Sequence, residues 1–520
     1  MVSSIKNRLG AVLWNSLGYL TGQLGLMVFS FISFPLFTRV LTKGDYGLLA
    51  LTSTTLSMIG LIIGAGLPNA IVRFAPEYSK DGRGERYLRF NTAILTASMA
   101  LATAGAALFV LLSLILPLPA DFQKLATSFQ YVAVVLVCRA GTNILLEFFR
   151  VERRVALYNG LCFLQRIATL SCSIAGYAIS RSVNGLLLGL AFGESIAAIG
   201  SAARAYQLGY WKWAPLAFED CREALRFTFP MMMGGACASI LNYSDRYFIQ
   251  GYVGSEAVAG YSVAYDMCLY IQVLIMTSFR LGALPEIVSK YSQSGEEEAG
   301  RFLGKAFRYF SWLIIGVAFG SVAVGKEALT LLASNKYAES ANFLPYLVPG
   351  ILISGLSFLF ASGLYLKKRN DIWFYIIAGS TALNIGLNFW IIPKIGTIGA
   401  AITTLTCYLV QAAVTIYVSN RFVRIPFDIG SVLRTLLCGA GMFTVLNYYM
   451  ANLGRAGLIA KVISGALIYS VLLVVFEKEA RQLVWQVLGR RPSSSSPSGP
   501  AQAGDSLLVE QEEKEVAAGQ

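Results

Sequence analysis

The chain has 520 residues, of which 56% are hydrophobic and only 14% are charged, with a mean hydropathy of +0.60 and a formal net charge of +13. Soluble globular proteins carry about 25% charged residues, so these figures exclude an ordinary soluble protein. The sequence contains no histidine, which excludes histidine-based metal sites and Ser–His or Cys–His nucleophile pairs. Its eight cysteines form no CxxC pattern, so we expect no metal, cofactor or disulfide.

Fourteen apolar runs, each about 20 to 25 residues long, fill the chain from Leu13 to Phe476. A run of that length satisfies its backbone hydrogen bonds internally only as a helix that crosses a bilayer. We therefore predict an all-α, multi-pass membrane protein with about fourteen transmembrane helices. The predicted spans cover residues 13–38, 46–72, 90–116, 126–149, 156–180, 183–205, 226–250, 257–280, 304–325, 341–365, 371–392, 396–418, 432–451 and 455–476.

The basic residues are distributed unevenly between the loops. The loops on one side, together with both termini, carry about three times as many Lys and Arg as the loops on the other side. The positive-inside rule assigns the basic side to the cytoplasm, so both termini are expected there and no nucleic-acid partner is implied. Residues 290–305 are predicted to form a charged inner loop, residues 477–488 an amphipathic helix on the inner membrane surface, and residues 492–520 a disordered tail.

Two short segments suggest an internal repeat. Residues 41–47 (LTKGDYG) open the second span, and residues 253–259 (VGSEAVA) open the eighth, 212 positions later. Parallel repeats of six helices bind their substrate at the interface between them, although a chance match of short segments is the alternative. We predict a first six-helix lobe at residues 1–220, a second at 221–425, two additional transmembrane helices at 426–477 and a cytoplasmic segment at 478–520.

Three motifs resemble those of a known family. Residues 41–48 (LTKGDYGL), 242–249 (NYSDRYFI) and 254–262 (GSEAVAGYS) are similar to segments of bacterial polysaccharide transporters, with Ala259 where a glycine is more usual. These are the Wzx-type flippases of lipid-linked oligosaccharides, in the multidrug/oligosaccharidyl-lipid/polysaccharide exporter superfamily. The resemblance implies a V-shaped, pseudo-twofold pair of six-helix lobes around a central cavity, followed by two extra helices as in the lipid II flippases.

The resemblance also implies a cargo and a location. In this family, an undecaprenyl-pyrophosphate-linked oligosaccharide moves from the inner to the outer leaflet of the bacterial plasma (inner) membrane by alternating access. The product serves surface polysaccharide synthesis, of the O-antigen or exopolysaccharide kind. A polysaccharide polymerase and a chain-length regulator are the implied protein partners.

Several ionisable residues lie at membrane depth, where they are costly and usually face a partner or a wet cavity. A guanidinium fork matches phosphate oxygens and stays charged out of water, so arginines are the predicted ligands of the pyrophosphate. The candidate cavity cations are Arg139, Arg166, Arg39 and Arg246. Arg39 lies at the end of a span, where an interfacial anchor is the alternative role.

The membrane-depth acids have two interpretations that the sequence leaves open. Glu194, Asp266 and Asp245 are predicted either to bind H⁺ or Na⁺ and couple the cycle to an ion gradient, or to pair with the arginines. In the second case Arg139 and Glu194, in neighbouring helices of one lobe, neutralise each other.

The short outer loops and the absence of histidine disfavour an enzyme, such as a polysaccharide polymerase or ligase, and no catalytic residue is predicted. An ion-coupled multidrug exporter of the same superfamily is the alternative function. Exporters of that kind tend towards twelve spans and acid-rich sites for cations, whereas this chain has two further spans and buried arginines.

Overall fold

The computed structural model describes residues 2–63, 66–78, 84–115, 129–211, 218–450, 454 and 457–489. This part of the chain contains α-helices and one 3₁₀ helix but no β-strand. Fourteen of its helical segments are long and apolar enough to cross a membrane. The predicted all-α fold with fourteen transmembrane helices is therefore confirmed. The tail predicted to be disordered, residues 492–520, lies outside the described residues.

Most helices begin and end within a few residues of the predicted spans. In chain order they are α1 (Val2–Val40), α2 (Lys43–Ile63), α3 (Leu67–Tyr78), α4 (Glu85–Ile115), α5 (Phe129–Val151), α6 (Val155–Ser180), α7 (Val183–Gln207), α8 (Phe218–Tyr243), α9 (Asp245–Tyr252), α10 (Ser255–Leu332), a 3₁₀ helix (Asn335–Phe343), α11 (Leu344–Leu366), α12 (Asn370–Ile395), α13 (Thr397–Ser419), α14 (Ile429–Tyr449), α15 (Leu458–Phe476) and α16 (Lys478–Gly489).

The prediction of one continuous span over residues 46–72 was wrong. Helix α2 ends at Ile63 and α3 begins at Leu67, next to Gly66 with a φ of 67°. Glycine tolerates this left-handed conformation, and Pro68 is placed where a helix needs no backbone N–H. A glycine and a proline thus divide the apolar run into two helices.

The charged loop predicted at residues 290–305 is also wrong. The backbone there is helical except at Gly295, whose φ of 82° and ψ of −170° interrupt α10. Directly after this break, Glu297 accepts a hydrogen bond of 2.6 Å from Arg301, one turn further on. Acidic residues at a helix start and an (i, i+4) ion pair both stabilise a helix, which explains why this polar stretch does not form a loop.

The predicted span 226–250 consists of two helices. Helix α8 begins at Phe218, inside the predicted amphipathic stretch, and ends at Tyr243, before α9 begins at Asp245. The Asp245 carboxylate accepts a hydrogen bond of 2.8 Å from the backbone N–H of Arg246. Such local side-chain bonds compete with helical ones and interrupt the regular helix at this point.

Two tight turns recur at a constant spacing. Arg153, between α5 and α6, and Lys368, between α11 and α12, are 215 positions apart and both have a φ of 57°. Arg181, between α6 and α7, and Gly396, between α12 and α13, are also 215 positions apart, with φ values of 51° and 67°. Residues with a positive φ at corresponding positions in two parts of a chain support the internal repeat, although Arg181 and Gly396 differ in ψ, at 32° and −149°. The predicted domain boundaries stay a prediction.

The two helices that open with the repeated segments pack against each other. Lys43 begins α2 and Ser255 begins α10, 212 positions later. A Cβ atom at Gly47 would lie 1.9 Å from the backbone oxygen of Ser255, so this crossing requires a glycine. The same holds between α6 and α7, where a Cβ at Gly189 would lie 2.0 Å from the backbone oxygen of Cys172. Small residues bring membrane helices close together in this way.

The chain divides into two compact units, residues 1–469 and 470–520. The first unit holds a large buried core to which Leu51, Tyr261 and Leu347 belong. In the second unit, α16 corresponds to the amphipathic helix predicted at residues 477–488, and Arg481 donates a hydrogen bond of 2.7 Å to the backbone oxygen of Val475.

Candidate functional site

A polar cavity of about 520 Å³ lies within the first unit. Helices α1, α2, α5, α6 and α7 form most of its wall, and α8, α9 and α10 complete it. Five of the seven predicted site residues line this cavity: Arg139, Arg166, Arg246, Glu194 and Asp266. These residues come from five different helices and converge on the space in which the sequence places a charged ligand.

Arg139 and Glu194 form an ion pair across α5 and α7. The Nη2 and Nε atoms of Arg139 donate to one Glu194 oxygen at 2.5 and 3.0 Å. Gln165 of α6 donates to the other carboxylate oxygen at 2.8 Å. The Glu194 side chain is 1% exposed and that of Arg139 is 35% exposed. The carboxylate is thus fully paired, while one side of the guanidinium remains open to the cavity.

Arg246 and Asp266 form a second ion pair, at the side of the cavity formed by α9 and α10. Nη2 of Arg246 donates to Asp266 at 2.9 Å, and Nη1 donates to the Thr54 hydroxyl of α2 at 3.0 Å. The guanidinium also lies over the rings of Tyr243 and Tyr265, at 5.2 and 5.3 Å. Aromatic faces attract cations, so this buried arginine is held by one charge, one hydroxyl and two rings.

Arg166 differs from both paired arginines. It lies on α6, its side chain is exposed, and it lines the cavity. Among the described residues, its guanidinium has neither a hydrogen-bond acceptor nor an acidic partner. A guanidinium presents five N–H donors and no acceptor. The donors of an unpaired guanidinium at the wall of a polar cavity are available to an anion.

Asp245 does not line the cavity. Its carboxylate is buried and accepts hydrogen bonds from the Tyr261 hydroxyl, from Thr404 at 3.4 Å and from the backbone N–H of Arg246. Both carboxylate oxygens of Asp245 are therefore hydrogen-bonded within the protein. Among the described residues Asp245 forms no ion pair with a guanidinium, and its hydrogen bond with Arg246 is made by the backbone N–H.

Arg39 lies at the end of α1 and does not line the cavity either. Its Nη2 donates at 2.7 Å to the backbone oxygen of Leu331, in the last turn of α10. Lys336 makes the reciprocal contact, because its ammonium donates to the backbone oxygen of Leu41 just after α1. Cations stabilise helix C-termini, so Arg39 caps the end of α10, and Lys336, in the 3₁₀ helix that follows α10, caps the end of α1.

The span-end residue Arg73 in α3 is likewise occupied outside the cavity. It pairs with Glu77 one turn later, and the hydrogen bond that it donates to that carboxylate raises the pKa of Arg73. Both side chains are about half exposed, so the pair contributes little to stability.

The sequence analysis did not identify several residues of the cavity. Gln165 orients Glu194, and Thr54 orients Arg246. Both are polar residues at membrane depth, which was the only available signal. Asn143 and Tyr270 also line the cavity, whereas Tyr261 and Tyr265 are fully buried in the core. Within the described residues, no group of three or more Cys, Asp or Glu is arranged to hold a metal ion.

Two family models match the chain. The model described as "Polysaccharide biosynthesis protein" matches residues 12–289, and the MatE model matches residues 230–390. Among curated proteins, the chain is similar to the "Probable flippase AglR" of Haloferax volcanii, with 23% identity over 69% of this chain and 75% of that protein. It is also 26% identical to the "Uncharacterized membrane protein MJ1068" of Methanocaldococcus jannaschii, over 40% of this chain and only 41% of that protein.

Solved structures with low sequence identity share the fold. The lipid II flippase MurJ in an inward closed conformation superposes with a TM-score of 0.71 over 90% of this chain and 99% of that chain, at 14% identity. An inward-facing multidrug resistance MATE family transporter of the MOP superfamily superposes with a TM-score of 0.57 over 76% of this chain and 97% of that one, at 12% identity. Both likenesses concern the arrangement of helices alone.

Proposed function

Because this chain belongs to the polysaccharide biosynthesis protein family, we propose that it is a flippase for an undecaprenyl-pyrophosphate-linked oligosaccharide. The cargo would move from the inner to the outer leaflet of a bacterial inner membrane by alternating access, and the glycan would enter surface polysaccharide. Both termini would be cytoplasmic, and a polysaccharide polymerase and chain-length regulator would act downstream. The observation that carries the proposal is the unpaired Arg166 in a polar cavity at membrane depth.

The charge of the cavity suits a diphosphate. Three arginines and two carboxylates are among the described lining residues, which gives a formal charge of +1. The acids neutralise Arg139 and Arg246, so Arg166 is the cation whose charge is free to bind the cargo. A buried anion without a partner costs several kcal/mol, and a charge-assisted, bidentate contact offsets that cost. Arg166 would therefore be the first ligand of the pyrophosphate, with the open side of Arg139 as the second.

The neutral polar residues suit the glycan. Ser33 and Ser53, together with Asn143 and Thr169, line the same cavity as Arg166. Hydroxyl and amide groups both donate and accept hydrogen bonds, as sugar hydroxyls require. The described lining thus combines several neutral polar groups with one unpaired charge. This combination supports a cargo with one anionic group and a neutral polar part.

The two paired acids support a role in coupling. If H⁺ or Na⁺ occupied Asp266, which is partly exposed to the cavity, Arg246 would lose its acidic partner and become available to the pyrophosphate. Glu194 has the same relation to Arg139, although it is almost completely buried. Asp245, which three hydrogen bonds hold in the core, is the weakest of the three coupling candidates.

The test is transport of a fluorescent isoprenyl-pyrophosphate-linked oligosaccharide in proteoliposomes. Arg166→Gln should lower the initial flipping rate by about tenfold to a hundredfold, because a charge-assisted contact contributes about 1.5–3 kcal/mol. Arg166→Lys should retain part of the rate. The matched control is Arg204→Gln. Arg204 is an exposed arginine of α7 whose side chain, among the described residues, bonds only to Gln207, so its replacement should change the rate less than twofold. A normal rate in Arg166→Gln would contradict the proposal.

The multidrug exporter remains the second candidate, because the MatE model matches residues 230–390. A cationic drug needs an unpaired acid, whereas both acids that line the cavity are paired with arginines. Proteoliposomes that accumulate a cationic dye in response to a pH or Na⁺ gradient, with no flipping of the pyrophosphate lipid, would favour this function.

A further inference from the structure

A second chamber of about 340 Å³ adjoins the polar cavity. Helices α2, α3, α4 and α5 form one side of it, and α8 forms the other. Four residues line both spaces: Leu56, Ser57, Arg139 and Asn143. The chamber and the cavity therefore meet at a common wall, where Arg139 carries the only charge among the described residues that both spaces share.

The chemistry of the second chamber is the opposite of that of the first. Its wall is mainly apolar and includes Leu61, Leu136, Ala140, Met231 and Met232. Methionine side chains are flexible and polarisable, which suits an apolar ligand that moves during a transport cycle. Polar groups are fewer, and of these Asn69 and Ser98 line the chamber but not the polar cavity.

The chamber is an open site and not a packing defect. Leu61 and Met231 are 38% and 53% exposed, so its rim is accessible from outside the protein. On the inside, Gly60 leaves the space free, because a Cβ there would meet only Leu136, at 3.7 Å. A volume of about 340 Å³ accommodates on the order of ten carbon atoms.

We propose that this chamber binds the first isoprene units of the cargo, next to the pyrophosphate. The inference rests on the proposed flippase function, in which the ligand has an anionic headgroup joined directly to a long apolar chain. A polar cationic space and an apolar space that share one wall match the two ends of that junction. Arg139 would lie against the phosphate nearer to the chain, while Arg166 would bind the diphosphate from the other wall.

The test compares two soluble probes that differ only in their chain. One is a disaccharide pyrophosphate with a ten-carbon isoprenyl group, and the other is the same disaccharide pyrophosphate with a methyl group. Gly60→Leu fills the chamber and should weaken binding of the isoprenyl probe by about tenfold, the equivalent of losing two or so buried CH₂ groups. Binding of the methyl probe should change less than twofold.

Two further variants control this experiment. Gly379→Leu adds the same side chain to α12, where a Cβ atom would have no neighbouring heavy atom within 4 Å. This variant should leave both affinities unchanged. If Gly60→Leu does not yield folded protein, Met231→Trp at the exposed rim tests the same space and should give the same selective loss.

The outcomes separate the chamber from the proposed function. Equal affinities of the wild-type protein and the chamber variants for the isoprenyl probe, or an equal loss for both probes, would overturn the chamber assignment alone. Displacement of the isoprenyl probe by an equal concentration of phosphatidylglycerol would make the chamber a general lipid site, and would overturn its assignment to the cargo. Failure of the wild-type protein to bind either probe would overturn the proposed function and this inference with it.

Discussion

The two halves of the molecule use the same helices for different purposes. Helices α5 and α6 of the first half correspond to α11 and α12 of the second, and their starts and ends are all 215 positions apart. Arg139 and Arg166 in the first half therefore correspond to Ser354 and Thr381 in the second. The Thr381 hydroxyl lies 2.9 Å from the backbone oxygen of Cys237 in α8 and 2.9 Å from that of Ile377 in its own helix, so it serves contacts between and within helices.

In the second half, tyrosine side chains pack together, whereas the first half contains the polar cavity. The Tyr408 hydroxyl donates to Asn242 and lies 3.3 Å from the Tyr265 hydroxyl. The Tyr261 hydroxyl donates to the Asp245 carboxylate. These rings and hydroxyls take up the space and satisfy each other's polar atoms. The repeat has thus kept the helices and turns, whereas side-chain differences distinguish the cavity side from the filled side. The second half contributes Arg246 and Asp266 to the wall of the polar cavity.

The sharpest test of this contrast exchanges the two equivalent residues. Thr381→Arg should destabilise the protein by about 3–5 kcal/mol, because it buries a cation that has no acid beside it. Arg166→Thr, at an exposed position facing the cavity, should fold normally and lose transport. Thermal unfolding in detergent, followed by size-exclusion chromatography, measures the difference. Equal stability of the two variants would show that the second half is as open as the first.

A smaller effect is expected at the ion pair of the first half. Glu194→Gln should destabilise the protein by about 1–2 kcal/mol, less than for a dry buried pair, because Arg139 is one-third exposed to the cavity. It should also tighten binding of a pyrophosphate probe, since the formal charge of the cavity rises by one. The double variant Arg139→Gln/Glu194→Gln should recover most of the stability. If Glu194→Gln matched the wild-type protein in both stability and affinity for the probe, the ion pair would be dispensable.

The smallest effect is expected where the first half contacts the end of α10. Replacing both Arg39 and Lys336 by alanine removes two helix caps and should shift the equilibrium between conformations by about 1 kcal/mol. Spin labels at Gly44 and Glu339 should then report a larger population with a longer distance between them. Arg39→Lys is the control, because lysine still caps a carbonyl. An unchanged distance distribution would show that these contacts do not hold this end closed.

Hydropathy and charge were enough to predict the number of helical segments that can span a membrane. A long apolar run has few alternatives in a bilayer, so the errors concern interruptions, which were missed or misplaced at Gly66, Ser244 and Gly295. The pairing of Arg139 with Glu194 was one of two alternatives from the sequence, and depth in the membrane could not decide between them because it does not tell which way a side chain points around its helix. Arg139 and Arg166 have similar sequence settings, yet only Arg139 faces an acid. The second chamber depends on contacts between helices distant in sequence, for which a single chain carries no signal.

The unpaired guanidinium of Arg166 also has an electrical consequence. With a formal charge of +1 among its described lining residues, the empty cavity becomes −1 when it holds a doubly negative diphosphate. Moving one elementary charge across the full membrane changes its energy by about 2.3 kcal/mol for a voltage of 100 mV. An inside-negative voltage therefore drives the loaded cavity outward and the empty cavity inward. Under the proposed function, the voltage favours both halves of the transport cycle, and the sign reversal depends on one arginine.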